Sequence, residues 1–81
     1  MLFRSRDFSD KVEDATLTAE VKTKLLANSE TDGLAIDVDT EARIVTLTGN
    51  VKSAEEKALA GEITNNVDGV SKVNNKLIVN S

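Results

Sequence analysis

From Asp14 onward the apolar residues fall at helical spacing. Leu17, Val21 and Leu25 recur every fourth position, the stripe by which a helix faces a core. Asp14 stands where an N-cap belongs. Asn28, Ser29, Thr31, Asp32 and Gly33 then form a run of turn formers, so the pattern predicts a helix over 14–28. The period next changes to two. Leu34, Ile36 and Val38 alternate with Ala35, Asp37 and Asp39, and Val45, Leu47, Gly49 and Val51 alternate with Ile44, Thr46, Thr48 and Asn50. Each run reads as a strand with one buried face. Residues 40–43 link them as an antiparallel hairpin. The link has neither Gly nor Asn, which predicts a longer type I connection rather than a two-residue type I′ turn.

A capping box, Ser53-Ala54-Glu55-Glu56, opens a second helix. The Ser53 hydroxyl can accept from the Glu56 N–H while the Glu56 carboxylate reaches back. Leu59, Ile63 and Val67 lie in line along this helix with Ala60 beside them, and Gly69 is positioned to stop it. Gly61 inside the helix costs about 1 kcal/mol relative to alanine, which predicts close packing at that point. Gly49, on the inward face of its strand, predicts a close approach of a helix or a bulge. A third strand is expected over about 72–79, with Val73, Leu77 and Val79 inward and Lys72, Asn74 and Lys76 outward. Strict alternation also turns Asn75 inward, where its amide needs partners; a bulge or a place at the sheet rim would remove the conflict.

The order α-β-β-α-β predicts an α+β fold. Strand 2, helix 2 and strand 3 form a crossover, so strands 2 and 3 should be parallel. The expected sheet is mixed and three-stranded, in order 1-2-3, with both helices packed on one face. Its other face presents Asp37, Asp39, Thr46, Thr48, Lys72, Asn74 and Lys76. Residues 1–13 read as a flexible tail and 14–81 as a single domain.

Composition sharpens this picture. Phe3 and Phe8 are the only aromatic residues, so the core must be built from Val, Ile, Leu and Ala. Residues 1–12 carry three bases and two acids, a charge of +1, while the remainder carries seven bases and twelve acids, or −5. An acidic body gains nothing from counterion release on phosphate polymers, which excludes general nucleic-acid binding. No stretch approaches the roughly 20 apolar residues that span a bilayer, and residues 1–12 lack the apolar run of a signal peptide.

Candidate chemistry is sparse. The chain has no histidine and no cysteine, removing the usual general base, the commonest metal ligand and the thiolate nucleophile. The four glycines stand apart at positions 33, 49, 61 and 69, so no Gly-rich phosphate loop exists. The reading is therefore a binding domain without enzymatic activity or cofactor. Asp37, Asp39 and Glu41, with Glu30 and Asp32 nearby, form the best candidate for a hard cation, against the plainer reading of a solvated acidic strand. Helix 1 carries Ala15, Ala19 and Leu26 with Lys22 opposite its core stripe, a strip that suits a partner or a lipid headgroup boundary. The plainer reading there is good helix formers, with Leu26 tucked under the following loop. In the tail, Phe3, Arg4, Arg6 and Phe8 combine apolar and basic character, as an interfacial anchor does.

Three segments carry a family resemblance: Asp14-Ala-Thr-Leu-Thr-Ala-Glu-Val-Lys-Thr-Lys-Leu-Leu, Ile44-Val-Thr-Leu-Thr-Gly-Asn-Val-Lys-Ser and Val67-Asp-Gly-Val-Ser-Lys-Val-Asn-Asn-Lys-Leu-Ile-Val. Over about residues 14–79 the chain resembles a BON domain, in particular one repeat of the OsmY-like periplasmic proteins. The resemblance implies the α-β-β-α-β fold, with Gly49 and Gly69 as structural glycines and Val73 and Leu77 in the core. It also implies a non-enzymatic role in the envelope under osmotic stress, with phospholipid headgroups or envelope proteins as partners and weak oligomers for avidity. Chaperone-like protein interaction through the open sheet face and cation sensing are the alternatives. A periplasmic location is expected, with the export signal removed or replaced; a cytoplasmic location stays open.

Overall fold

The computed structural model describes residues 3–80, with side chains from residue 13 onwards. Helix α1 (Phe3–Ala27) leads through a 3-10 turn (Gly33–Ala35) to strands β1 (Ile36–Glu41) and β2 (Ile44–Val51). Helix α2 (Ala54–Asn65) follows, then β3 (Lys72–Asn75) and β4 (Ile78–Val79). The sheet runs β1-β2-β3, with β1 antiparallel and β3 parallel to β2, as the α+β reading predicts. The short β4 also pairs parallel to β2. Its offset from β2 equals that of β3 (Leu47 faces Asn75, Asn50 faces Ile78), so β3 and β4 are one strand interrupted at Lys76–Leu77.

Helix α1 starts well before the Asp14 expected from the pattern. Nothing in the sequence interrupts it, since no glycine or proline precedes Gly33, and Asp7 and Lys11 stand at the helix-favouring i, i+4 spacing. Asp14 is not an N-cap. Its two carboxylate oxygens accept the backbone N–H groups of Ala42 and Arg43 at 2.9 and 3.0 Å.

Those two residues overturn the turn expectation. Glu41 pairs with Ile44, leaving a two-residue loop in which Ala42 and Arg43 both have positive φ, 52° and 65°, the signature of type I′. The left-handed conformation is unfavourable for both side chains, and neighbouring groups hold it in place. Besides Asp14, the Arg43 guanidinium meets Glu13 at 2.8 Å, and Ser71 donates from N and Oγ to the Arg43 carbonyl.

The core comprises Leu17, Val21 and Leu25 of α1, Ile36 of β1, Val45, Leu47 and Val51 of β2, Ala60 of α2, Val67 and Leu77. Val38, Ile63 and Val73, expected inward, pack against it partly buried, and two further expected members are exposed. Leu34 is 87% exposed, because residues 33–35 form the 3-10 turn, closed by Ala35 N–H to Asp32 O at 3.0 Å, rather than the start of β1. Val79 is 39% exposed at the end of the edge strand. Helix α2 is also rotated from expectation: Ala60 and Thr64 are fully buried, while Leu59 and Ile63 are half-buried. Thr64 fits because its hydroxyl donates to the Ala60 carbonyl at 2.8 Å.

The glycine expectations resolve individually. Helix α2 ends at Asn65 with Asn66 as C-cap, so Gly69 does not stop it. Gly69 has φ +99° in the following turn, closed by Val70 N–H to Val67 O. A Cβ at Gly69 would meet Leu17 Cδ2 at 3.1 Å. At Gly49 (φ +127°) the close neighbour is the carbonyl of Ala35, the last residue of the 3-10 turn, whose oxygen would lie 2.3 Å from an added Cβ. The Gly61 and Asn75 puzzles have one answer. Asn75 does turn inward; its Nδ2 donates to the Lys57 carbonyl at 2.8 Å and its Oδ1 accepts from Leu77 N–H at 3.3 Å. A Cβ at Gly61 would sit 2.8 Å from that Nδ2, so the missing side chain makes room for the amide.

Candidate functional site

The capping box forms in half. Ser53 Oγ accepts from Glu56 N–H at 3.1 Å. The Glu56 carboxylate does not return to Ser53; it accepts from Lys52 N–H at 3.1 Å and from Asp32 N–H at 2.8 Å. Glu56 is buried, and its two oxygens tie the loop after α1 to the start of α2. Thr31 seals the other side of that loop, donating from Oγ1 to the Leu25 carbonyl at 2.6 Å.

This sealed loop carries an apolar surface. Ile36 faces Gly49, Asn50 faces Ile78 and Val51 faces Val79, so the start of β1, the end of β2 and β4 share one end of the sheet. Leu34 precedes β1 at that end. Leu26 joins it by lying against the buried Gly33, where an added Cβ would meet Leu26 Cδ2 at 2.9 Å. Among the described residues, the exposed large hydrophobics are Leu26, Leu34, Ile78 and Val79, and all four belong to segments at this end of the sheet. Lys22, one helical turn before Leu26, and Lys52, after Val51, are exposed at the same end together with Glu30, Asp32 and Glu55.

The other sequence candidates are dispersed. Ala19 and Ala15 line an open depression of about 860 Å³ between α1 and the turn after α2, with Glu20, Lys24, Asn66 and Asp68; Lys22 is not part of its wall. Leu26 contacts the following loop yet remains 54% exposed. Asp37, Asp39 and Glu41 stand exposed along β1 on the open face. Among the described residues no group of three or more acidic side chains is arranged to hold a metal ion. The side chains of Phe3, Arg4, Arg6 and Phe8 lie outside the described residues. Sequence reasoning named Leu26 and Lys22 but missed Leu34, Ile78 and Val79, since strand periodicity assigned Leu34 and Val79 to the core. The run of turn formers directly before Leu34 was the available signal.

Two helices on one face of a mixed sheet, with an apolar end beside a sealed loop, define a small α+β module with exposed surfaces for contact. Residues 13–81 match the BON domain, and the chain belongs to that family. It is similar to Osmotically-inducible protein Y of Escherichia coli, 34% identical over 68 residues, covering 84% of this chain and 34% of the relative. It is also similar to the 21 kDa hemolysin of Actinobacillus pleuropneumoniae, 43% identical over 60 residues, covering 74% of this chain and 30% of the relative. The chain thus spans about a third of the length of these relatives. Among the described residues no helix is long and apolar enough to cross a membrane.

Proposed function

We propose that this chain is a non-catalytic module of the bacterial envelope, periplasmic, that serves in osmotic-stress protection by touching phospholipid surfaces with its apolar end. The observation that carries the reading is the exposure of Leu26, Leu34, Ile78 and Val79, all on segments at one end of the sheet. Membership of the BON family and similarity to Osmotically-inducible protein Y support the setting. Burying a fully exposed leucine is worth about 1.5–3 kcal/mol, so four partly exposed aliphatic side chains suffice for a weak contact with the headgroup–acyl boundary. Charge at this end is mixed, Lys22 and Lys52 against Glu30, Asp32 and Glu55. Apolar area therefore drives the contact, and salt changes it little. One domain alone binds weakly, so repetition or oligomerisation supplies avidity. The segment before residue 14, with Phe3, Arg4, Arg6 and Phe8, adds a second contact of interfacial character.

The test is co-sedimentation of the full chain with vesicles of phosphatidylethanolamine and phosphatidylglycerol. Binding is expected to fall about tenfold in the Leu26→Ser/Leu34→Ser variant and to change little with added salt. If the unaltered chain stays in the supernatant at every vesicle concentration, the lipid reading is wrong.

A further inference from the structure

The open face of the sheet is bipolar. Its β1 edge presents Asp37, Asp39 and Glu41; its opposite edge presents Lys72, Asn74 and Lys76; Ile44, Thr46 and Thr48 of β2 lie between. The five charged side chains are exposed, and no ion pair joins them. Two strand spacings, about 9–10 Å, keep the acidic and basic columns apart. Their register is matched. Glu41 and Lys72 share the row through Ile44, and Asp39 and Asn74 share the row through Thr46. Asp37 lies in the row of Thr48, beside which the constant β2–β3 offset sets Lys76.

We infer that this face docks a second copy of the same chain, face to face, about a two-fold axis parallel to the strands. Rotation about that axis keeps every row at its height and exchanges the two edges. Glu41 of each copy then stands over Lys72 of the other, Asp37 over Lys76, and Asp39 over the Asn74 amide. A two-fold axis across the strands would set acid on acid, which electrostatics opposes. The central Ile44, Thr46 and Thr48 are short enough for the sheets to approach to the usual ~10 Å, within reach of a lysine side chain. Three short strands offer much less than the roughly 800 Å² per partner of a stable interface. The association is therefore weak, and it depends on salt because its charges are exposed. It uses a different surface from the lipid reading and stands without it.

Sedimentation equilibrium of the full chain tests the inference. Self-association is expected at low salt, weakening at least about tenfold between about 20 and 500 mM salt. Asp37→Lys/Glu41→Lys gives a face basic at both edges, and Lys72→Glu/Lys76→Glu a face acidic at both. Each variant alone should be monomeric, and an equal mixture should recover dimers, since the Glu41–Lys72 and Asp37–Lys76 contacts are again opposite in sign. Circular dichroism checks that both variants fold. Should one not fold, a dilution series of the unaltered chain by NMR decides: the shifts that move must lie on residues 37–48 and 72–76. The inference is overturned if the chain is monomeric at millimolar concentration in low salt, or if association ignores salt. It also fails if either variant alone still associates, if the mixture does not, or if the shifts fall on the helices. Leu26→Ser/Leu34→Ser should leave self-association unchanged, which separates this result from the vesicle experiment.

Discussion

Gly49 bears the tightest steric demand among the described glycines. Its φ of +127° and the 2.3 Å between an added Cβ and the Ala35 carbonyl oxygen leave backbone movement as the only relief. We predict that Gly49→Ala costs roughly 3 kcal/mol or more, a large share of the stability of so small a domain, read as a lowered urea midpoint at unchanged slope. The hairpin offers the opposite experiment. Ala42 at φ 52° sits where asparagine is favoured, so Ala42→Asn should raise stability by about 1 kcal/mol, or the melting temperature by about 4–8 °C. Asp14→Ala removes the acceptor of two turn N–H groups and should lower stability by about 1–2 kcal/mol. No change in Asp14→Ala would mean that the turn is not held from α1.

Between elements, the helix–strand contact at Gly61 and Asn75 inverts an ordinary rule. In a free helix Gly61→Ala would gain about 1 kcal/mol. Here the new methyl would press on the Asn75 amide, so we predict a net loss of about 1–2 kcal/mol. In an Asn75→Ala background the same change should become neutral or favourable, a coupling of about 1–3 kcal/mol in a double-mutant cycle. Additive effects would refute the shared explanation. The elements themselves were legible, because the change from period four to period two is a strong local signal and burial of Leu17, Val21, Leu25, Ile36, Val45 and Leu47 follows it. What escaped was set by distant partners. The type I′ turn rests on an aspartate 28 residues upstream, which a local reading of residues 40–43 does not see. Thr64 reads as polar in sequence, yet its bond to Ala60 O qualifies it for the core, and α2 turns accordingly. The candidate surface was half legible: Lys22 and Leu26 from helical spacing, the open-face charges from strand alternation, and the Leu34–Ile78–Val79 end only once the 3-10 turn and the register were known.

At the scale of the molecule, two surfaces with different physics lie on one small fold. On the proposed readings, contact through the apolar end follows surface area and is insensitive to ions, whereas pairing through the sheet face follows charge and fades as salt rises. A rise in osmolarity that also raises ionic strength would loosen face-to-face pairs while leaving contact through the end intact. The hairpin also bears on the order in which the chain assembles. A loop whose two residues sit in an unfavourable conformation is a poor nucleus, and its support arrives only when α1 lies against β1. Folding should therefore begin with the helix and close the β1–β2 corner late. On that view, loss of the Asp14 carboxylate would hasten unfolding far more than it delays refolding, whereas a corner that formed early would show the reverse.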